Sequence, residues 1–177
     1  MSSNLELAIA QLKAGNVEGL ETVYLEYREP LYQFIFRYTL DEQLSKDLVQ
    51  DTFEKFQRYA AHFDEEKASL KTYLFKIAYQ LMVNKLNRRA KLRRLLPFLI
   101  PKEESGPSHD EKLTLRSAIQ QLPKQQRAVI LLTYYHDLDQ KSIADILQIP
   151  IGTVKSRLHT AIGNLKKVLM EVEVDEG

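Results

Sequence analysis

The sequence predicts an all-α chain: two small helical domains joined by a flexible linker. Three observations carry that prediction. Nearly every long segment repeats its apolar residues at helical spacing, and no alternating strand pattern interrupts them. The repeat fails between Pro97 and Asp110, where Pro, Gly, Ser and charged residues dominate, the usual makeup of a linker. Beyond it, Asp139 to His159 reads as two short helices around a tight turn. A chain of 177 residues has room for one ordinary domain or two small ones.

The first helix covers Leu5 to Lys13 and ends near Gly15 and Asn16. The second runs from about Val17 to Tyr38, with Leu20, Val23, Tyr27, Leu31, Phe34 and Tyr38 inward. Pro30 lies within it and predicts a kink or a break. The third runs from about Glu42 to His62 and buries Leu44, Leu48, Phe53 and Phe56. A fourth, about Leu70 to Leu92, buries Leu74, Ile77, Ala78, Leu81 and Leu86. After the linker come a short helix, Leu113 to Gln121, and one opened by Pro123 that reaches about His136. Asp139 is the N-cap of the next helix, whose inner face carries Ile143, Ala144 and Leu147. Gln148, Ile149 and Pro150 break the pattern. The last helix then turns Val154, Leu158, Ile162 and Leu165 inward and Thr153, Lys155, Ser156, Arg157, His159 and Thr160 outward. Such a helix suits a DNA major groove, the alternative being an ordinary helical hairpin with a solvated charged face.

Composition narrows the classes of function. The chain has no cysteine, which excludes disulfides and zinc–thiolate sites and fits a reducing cytoplasm. Its four histidines, His62, His109, His136 and His159, share no metal-ligand spacing. With neither a glycine-rich phosphate loop nor a nucleophile motif, the chain is expected to be no enzyme, and to use no cofactor, metal or small-molecule substrate. The N-terminus lacks a signal core, and the longest apolar run, Leu95 to Pro101, is too short for a bilayer, so a cytoplasmic protein without membrane insertion is expected. Net charge is only +1, but it is unevenly placed. Asp41 to Glu66 holds eight acidic residues against three basic ones, whereas Lys67 to Arg94 holds nine basic residues and no acidic one. That division suggests one surface for a protein partner and another for a polyanion.

Three segments, in this order, resemble the extracytoplasmic-function (ECF) class of bacterial sigma factors. The first is Leu31 to Tyr38 through Asp47-Leu-Val-Gln-Asp-Thr-Phe53. The second is Leu70 to Gln80 with its basic continuation to Arg94. The third is Leu122 to Leu132 followed by the helix-turn-helix and Gly152-Thr-Val-Lys-Ser-Arg-Leu158. The resemblance implies sigma domain 2 over residues 1–94, a linker over 95–111, sigma domain 4 over 112–172 and an acidic tail, 173–177, which its composition marks as disordered with no further domain after it. It also implies an alternative sigma factor that binds core RNA polymerase through the β′ clamp helices and the β flap, recognises promoter DNA near −10 and −35, and is held in check by an anti-sigma factor.

The same resemblance assigns residues. Polymerase binding falls on Asp47, Leu48, Gln50 and Asp51, where carboxylates beside an amide suit basic partner side chains and Leu48 can face the core. The −10 strand falls on Tyr73, Tyr79, Gln80, Asn84, Lys85, Arg88 and Arg89, a mixture of rings, amides and cations suited to unstacked bases. Tyr73 stands where the family usually has Trp, and is as well read as core; Gln80 stands where Asn is common. Contacts to −35 fall on Thr153, Lys155, Ser156, Arg157, His159 and Thr160. The family often has a basic residue in place of Thr160 and of Ile162, a loss worth on the order of 1–3 kcal/mol. Gln148 stands where Gly is usual, at a left-handed turn position. The apolar run Leu95 to Ile100 reads either as a cap on the domain 2 core or as a surface that changes partners. Two other functions stay open on residues alone: a helix-turn-helix regulator of duplex DNA, and a polymerase-binding module without promoter selection.

Overall fold

The computed structural model describes residues 3–95 and 115–175, with side chains from 4 to 170. Most of the linker, 96–114, lies outside the described residues, and with it the apolar run after Leu95. Eight α-helices are found among the described residues: α1 Ser3–Lys13, α2 Glu18–Thr39, α3 Glu42–Tyr59, α4 Leu70–Leu95, α5 Leu115–Gln121, α6 Lys124–Ile130, α7 Gln140–Leu147 and α8 Ile151–Asp175. A 3₁₀ turn, Ala60–His62, follows α3, and a π turn, Leu131–Tyr135, follows α6.

The first unit is α1 to α4, packed around Leu31, Phe34, Leu44, Leu48, Phe56, Leu74, Phe75 and Met82, all essentially inaccessible. Gly15 closes α1 in the left-handed region, at φ +82°. Gly19 is required by contact: a Cβ there would stand 2.2 Å from the Ala8 carbonyl oxygen, so the missing side chain lets α2 approach the α1 backbone. Pro30 neither breaks nor ends α2: of the kink or break that the sequence suggests, the break does not occur, since the helix is continuous from Glu18 to Thr39. A proline deletes one helical hydrogen bond, and the burial of Val23 before it and of Leu31, Phe34 and Ile35 after it anchors both halves to one core. Asp41 caps α3, its Oδ1 accepting the Leu44 N–H at 2.8 Å. Inside that helix the buried hydroxyls of Ser45 and Thr52 donate to the carbonyls of Asp41 and Leu48, so neither is left unpaired.

The second unit is α5 to α8, with Leu131, Ile143, Ile146, Val154 and Ala161 at its centre. Asp139 caps α7, accepting the Ser142 N–H at 2.7 Å. Gln148 then takes the left-handed conformation, φ 55°, that its position demands. Its side chain offsets part of that strain by donating to the Asp145 carbonyl at 2.8 Å. Pro150 immediately precedes α8 and its carbonyl accepts the N–H groups of Thr153 and Val154. Val154 is fully buried, Leu158, Ile162 and Leu165 are half-buried, and the fully buried Ala161 completes the face. The helix continues through Asp175, so the first residues of the acidic tail extend it; Glu171 and Glu173 are good helix formers.

The units are not separate. Helix α4 packs on α7, and α2 on the π turn, so the apolar cores are continuous. Polar contacts fasten the same seam. Lys76 Nζ meets Asp145 Oδ1 at 2.8 Å, and Lys71 Nζ donates to the His136 carbonyl. The end of α2 supplies the rest. That helix stops on Leu40, left-handed at φ 57°, leaving its last carbonyls without partners inside the helix at its negative pole. Arg127 donates to the Tyr38 carbonyl at 2.8 Å and Gln120 to that of Arg37.

Candidate nucleic-acid interface

The basic run of the sequence becomes the exposed C-terminal half of α4. Gln80, Asn84 and Arg88 recur every four residues and therefore form one stripe along the helix. Gln80 is half-buried, while Asn84, Lys85, Arg88 and Lys91 are exposed. Two amides flanked by cations offer base-edge donors and acceptors beside phosphate-neutralising charge.

Three of the sequence-assigned residues here have structural duties as well. The Tyr73 ring is half-buried, with its centroid 5.0 Å from that of Phe63 and 6.1 Å from that of Phe56. Tyr79 is half-buried edge-on to Tyr38, at 6.5 Å, and burial raises its phenol pKa while the nearby Arg157 charge opposes the rise. Arg89 reaches back to Asp41 Oδ2 at 2.8 Å. Burial alone would raise the Asp41 pKa; the Arg89 hydrogen bond, the Leu44 N–H and the Arg89 charge outweigh it and hold the carboxyl below its usual range.

On α3, Asp47, Gln50 and Asp51 are exposed on neighbouring turns. Gln43 donates to Asp47 and Gln50 to Glu54, which hold this polar face in a defined arrangement. Leu48 requires correction: it is 1 % exposed and sits in the core, so it orients the helix and presents nothing to a partner. The spacing explains why, since residues one apart on a helix cannot share a face with Asp47. Sequence reasoning missed what lies beside Gln50. A groove of about 490 Å³ separates α2 from α3, lined by Tyr24, Arg28, Tyr32, Val49, Gln50 and Phe53 among others. Tyr24 is exposed within the apolar repeat of α2, and stands edge-on to Phe53 at 4.9 Å. An aromatic residue off the inward stripe was the available signal.

On α8, Lys155, Ser156, His159 and Thr160 are exposed and Thr153 and Arg157 half-buried. Ser156 and Thr160 donate their hydroxyls to the Thr153 and Ser156 carbonyls, leaving their lone pairs outward. Asn164 donates to Gln126 at 2.8 Å and fixes α8 on α6. Among the described residues no group of His, Asp and Glu is placed to hold a metal ion, and no helix is long and apolar enough to cross a membrane.

Comparison with known proteins follows the same division. Residues 23–92 match the family described as Sigma-70 region 2, and residues 112–165 match Sigma-70, region 4. The ECF RNA polymerase sigma factor SigW of Bacillus subtilis is 24 % identical, over 97 % of this chain and all of its own length. The RNA polymerase sigma factor YlaC of the same species is 29 % identical over 90 % of this chain and 96 % of its own. The ECF RNA polymerase sigma factor SigL of Mycobacterium tuberculosis is 28 % identical, over 88 % and 91 % respectively. Two solved structures share the fold. The sigma factor RpoE, in complex with the anti-sigma factor NepR from Bartonella quintana, has a TM-score of 0.70 at 24 % identity, covering 85 % of this chain and 96 % of its own. CnrH, in complex with the cytosolic domain of CnrY, has a TM-score of 0.71 at 21 % identity, covering 96 % and 99 %.

Proposed function

This chain belongs to the sigma-70 family, in its extracytoplasmic-function class, and from that premise we propose how its surfaces divide the work of promoter-specific transcription initiation. Residues 1–94 act as sigma domain 2 and 112–172 as sigma domain 4, with 95–111 as the tether. Asp47, Gln50 and Asp51 bind the β′ clamp helices of core RNA polymerase; their exposure on one face of α3 supports this. Charge-assisted hydrogen bonds to basic partner side chains give that contact its strength. Domain 4 binds the β flap.

The α4 stripe Gln80, Asn84 and Arg88, with Lys85 beside it, captures the −10 strand once it unpairs. Amides read base edges and the cations neutralise phosphate. Tyr79 adds its ring face and Tyr73 supports the stripe from beneath. Lys155, Ser156, His159 and Thr160 read −35 from the major groove, with Arg157 on phosphate. None of these groups is asked to make or break a covalent bond; the chemistry belongs to polymerase, and the work is done in the cytoplasm. An anti-sigma factor silences the chain by covering these surfaces; the solved complex of RpoE with a protein named an anti-sigma factor supports the existence of such a partner.

The observation that carries this reading is the pairing of an exposed basic stripe on α4 with a separate helix-turn-helix, in the order of sigma regions 2 and 4. The test is transcription by purified core polymerase, this chain and a promoter library. Discrete start sites that share two spaced elements are expected. Start sites independent of the chain would overturn the proposal.

A further inference from the structure

A cavity of about 280 Å³ opens where α2, α5 and the π turn meet. Ile119 and Leu131, both buried, lie beneath it, and Phe36, Arg37, Arg116 and Tyr135 stand around it. Both guanidiniums lie over ring faces. Arg37 is 4.5 Å from the centroid of Tyr135, and Arg116 is 5.3 Å from that of Phe36. Stacking of this kind holds a planar cation in one orientation and leaves the N–H donors along its edge accessible. Arg37 spends one of its five donors on the Gln33 side-chain oxygen, at 2.7 Å.

None of the ion pairs among the described residues includes either guanidinium. The contrast with other cations is direct. Where Lys13, Lys76 and Arg89 reach across to another element, each meets a carboxylate, on Glu65, Asp145 and Asp41 respectively. Arg37 and Arg116 instead converge from separate helices on one cavity that no acidic residue lines. Two cations held around one concave space repel each other, and an anion between them removes that repulsion.

We infer that this cavity binds a small phosphate ester carrying a planar ring, a mononucleotide in size and chemistry. A guanidinium fork meets phosphate oxygens two at a time, and two forks balance a dianion. The rings of Phe36 and Tyr135 and the side chains of Ile119 and Leu131 offer apolar surface to the heterocycle. Size excludes a larger occupant. The 280 Å³ equals the share of roughly nine water molecules, whereas a partner helix with its side chains is about 10–12 Å across. A wholly apolar ligand is disfavoured, because it would strip water from both charges without replacing it. Binding needs neither polymerase nor promoter, so the site stands or falls apart from the sigma-factor reading.

The test is calorimetric titration of the full chain, in buffer free of phosphate, with adenosine monophosphate and with adenosine. The monophosphate is expected to bind saturably at one site, and adenosine on the order of tenfold or more weakly. Arg37→Gln and Arg116→Ala are each expected to weaken the monophosphate on the order of tenfold. Arg116→Lys, which keeps the charge but loses the fork and the stack, is expected to fall between. Circular dichroism and urea midpoints accompany each variant. Arg116 is exposed, so its replacement leaves the fold intact even if that of Arg37 does not. Three results would overturn the site: no saturable binding up to about 1 mM, affinity unchanged in both arginine variants, or adenosine bound as tightly as its monophosphate. A fourth would reassign it. Binding that appears only with Glu103→Gln, Glu104→Gln, Asp110→Asn and Glu111→Gln together would give the cavity to the chain's own acidic stretch and overturn the small-ligand reading.

Discussion

Asp41 and Arg89, 48 positions apart, join the start of α3 to the basic half of α4. One carboxylate oxygen caps α3 through the Leu44 N–H, and the other accepts the Arg89 guanidinium at 2.8 Å. One side chain thereby ties the start of α3 to the exposed half of α4, beside the core that the two helices share. Asp41→Ala should lower unfolding free energy by about 1–2 kcal/mol through loss of the cap, whereas Arg89→Ala should cost less than about 1 kcal/mol, since the pair is part-exposed. Urea unfolding checks both. Because the Asp41 pKa is depressed, its contribution is present above the unfolded carboxyl pKa and is lost as pH falls through the folded one.

Charge reversal on the α3 face tests the polymerase contact. Asp47 and Asp51 are exposed, so Asp47→Lys with Asp51→Lys should abolish co-elution with core polymerase while circular dichroism stays unchanged. Retained co-elution would remove that face from the interface.

The outward face of α8 makes a different prediction. Replacing Lys155 and Arg157 by Ala should reduce initiation at −35-dependent promoters and shrink the salt slope of DNA binding by about 1 for each phosphate no longer neutralised. Initiation at a promoter read through −10 alone should fall less. Equal loss at both promoters would count against a −35 role for these side chains.

Acid should loosen the seam through His136. Burial between Phe34 and Phe75 comes first, and the Lys71 and Arg37 charges from α4 and α2 add to it, bringing the imidazole down to about 4. The neutral ring is the form the folded state favours. A pKa depressed from 6.5 means that stability is fully present above pH 6.5 and is lost progressively as pH falls toward 4. Between about pH 7.5 and 5.5 the unfolding free energy should fall by about 1 kcal/mol. Urea unfolding at the two pH values reads the change, and His136→Phe, which keeps an aromatic edge between Phe34 and Phe75, should flatten it.

Local rules made much of the molecule legible. Helical hydrogen bonds span four residues, so periodicity placed the helices to within a few positions, and Asp139 as an N-cap followed from its neighbours, whereas the left-handed turn at Gln148 came from the resemblance. The same logic found the α4 basic stripe and the outward residues of α8. It allowed a break at Pro30, where burial on both sides keeps α2 continuous, and grouped Leu48 with the partner-binding residues although its core-facing side is the one the structure uses.

What the chain alone determined was its elements, its two-unit order and the chemistry carried on each helix face, because those depend on residues a turn or less apart. Only tertiary structure decided which of those faces remain available. Arg89 is taken by Asp41, Lys76 by Asp145, and the Arg37 and Tyr38 carbonyls by Gln120 and Arg127. Such pairs join residues 48 to 89 positions apart, and closing each requires the whole hydrophobic core to bring the helices together first, which no local pattern encodes.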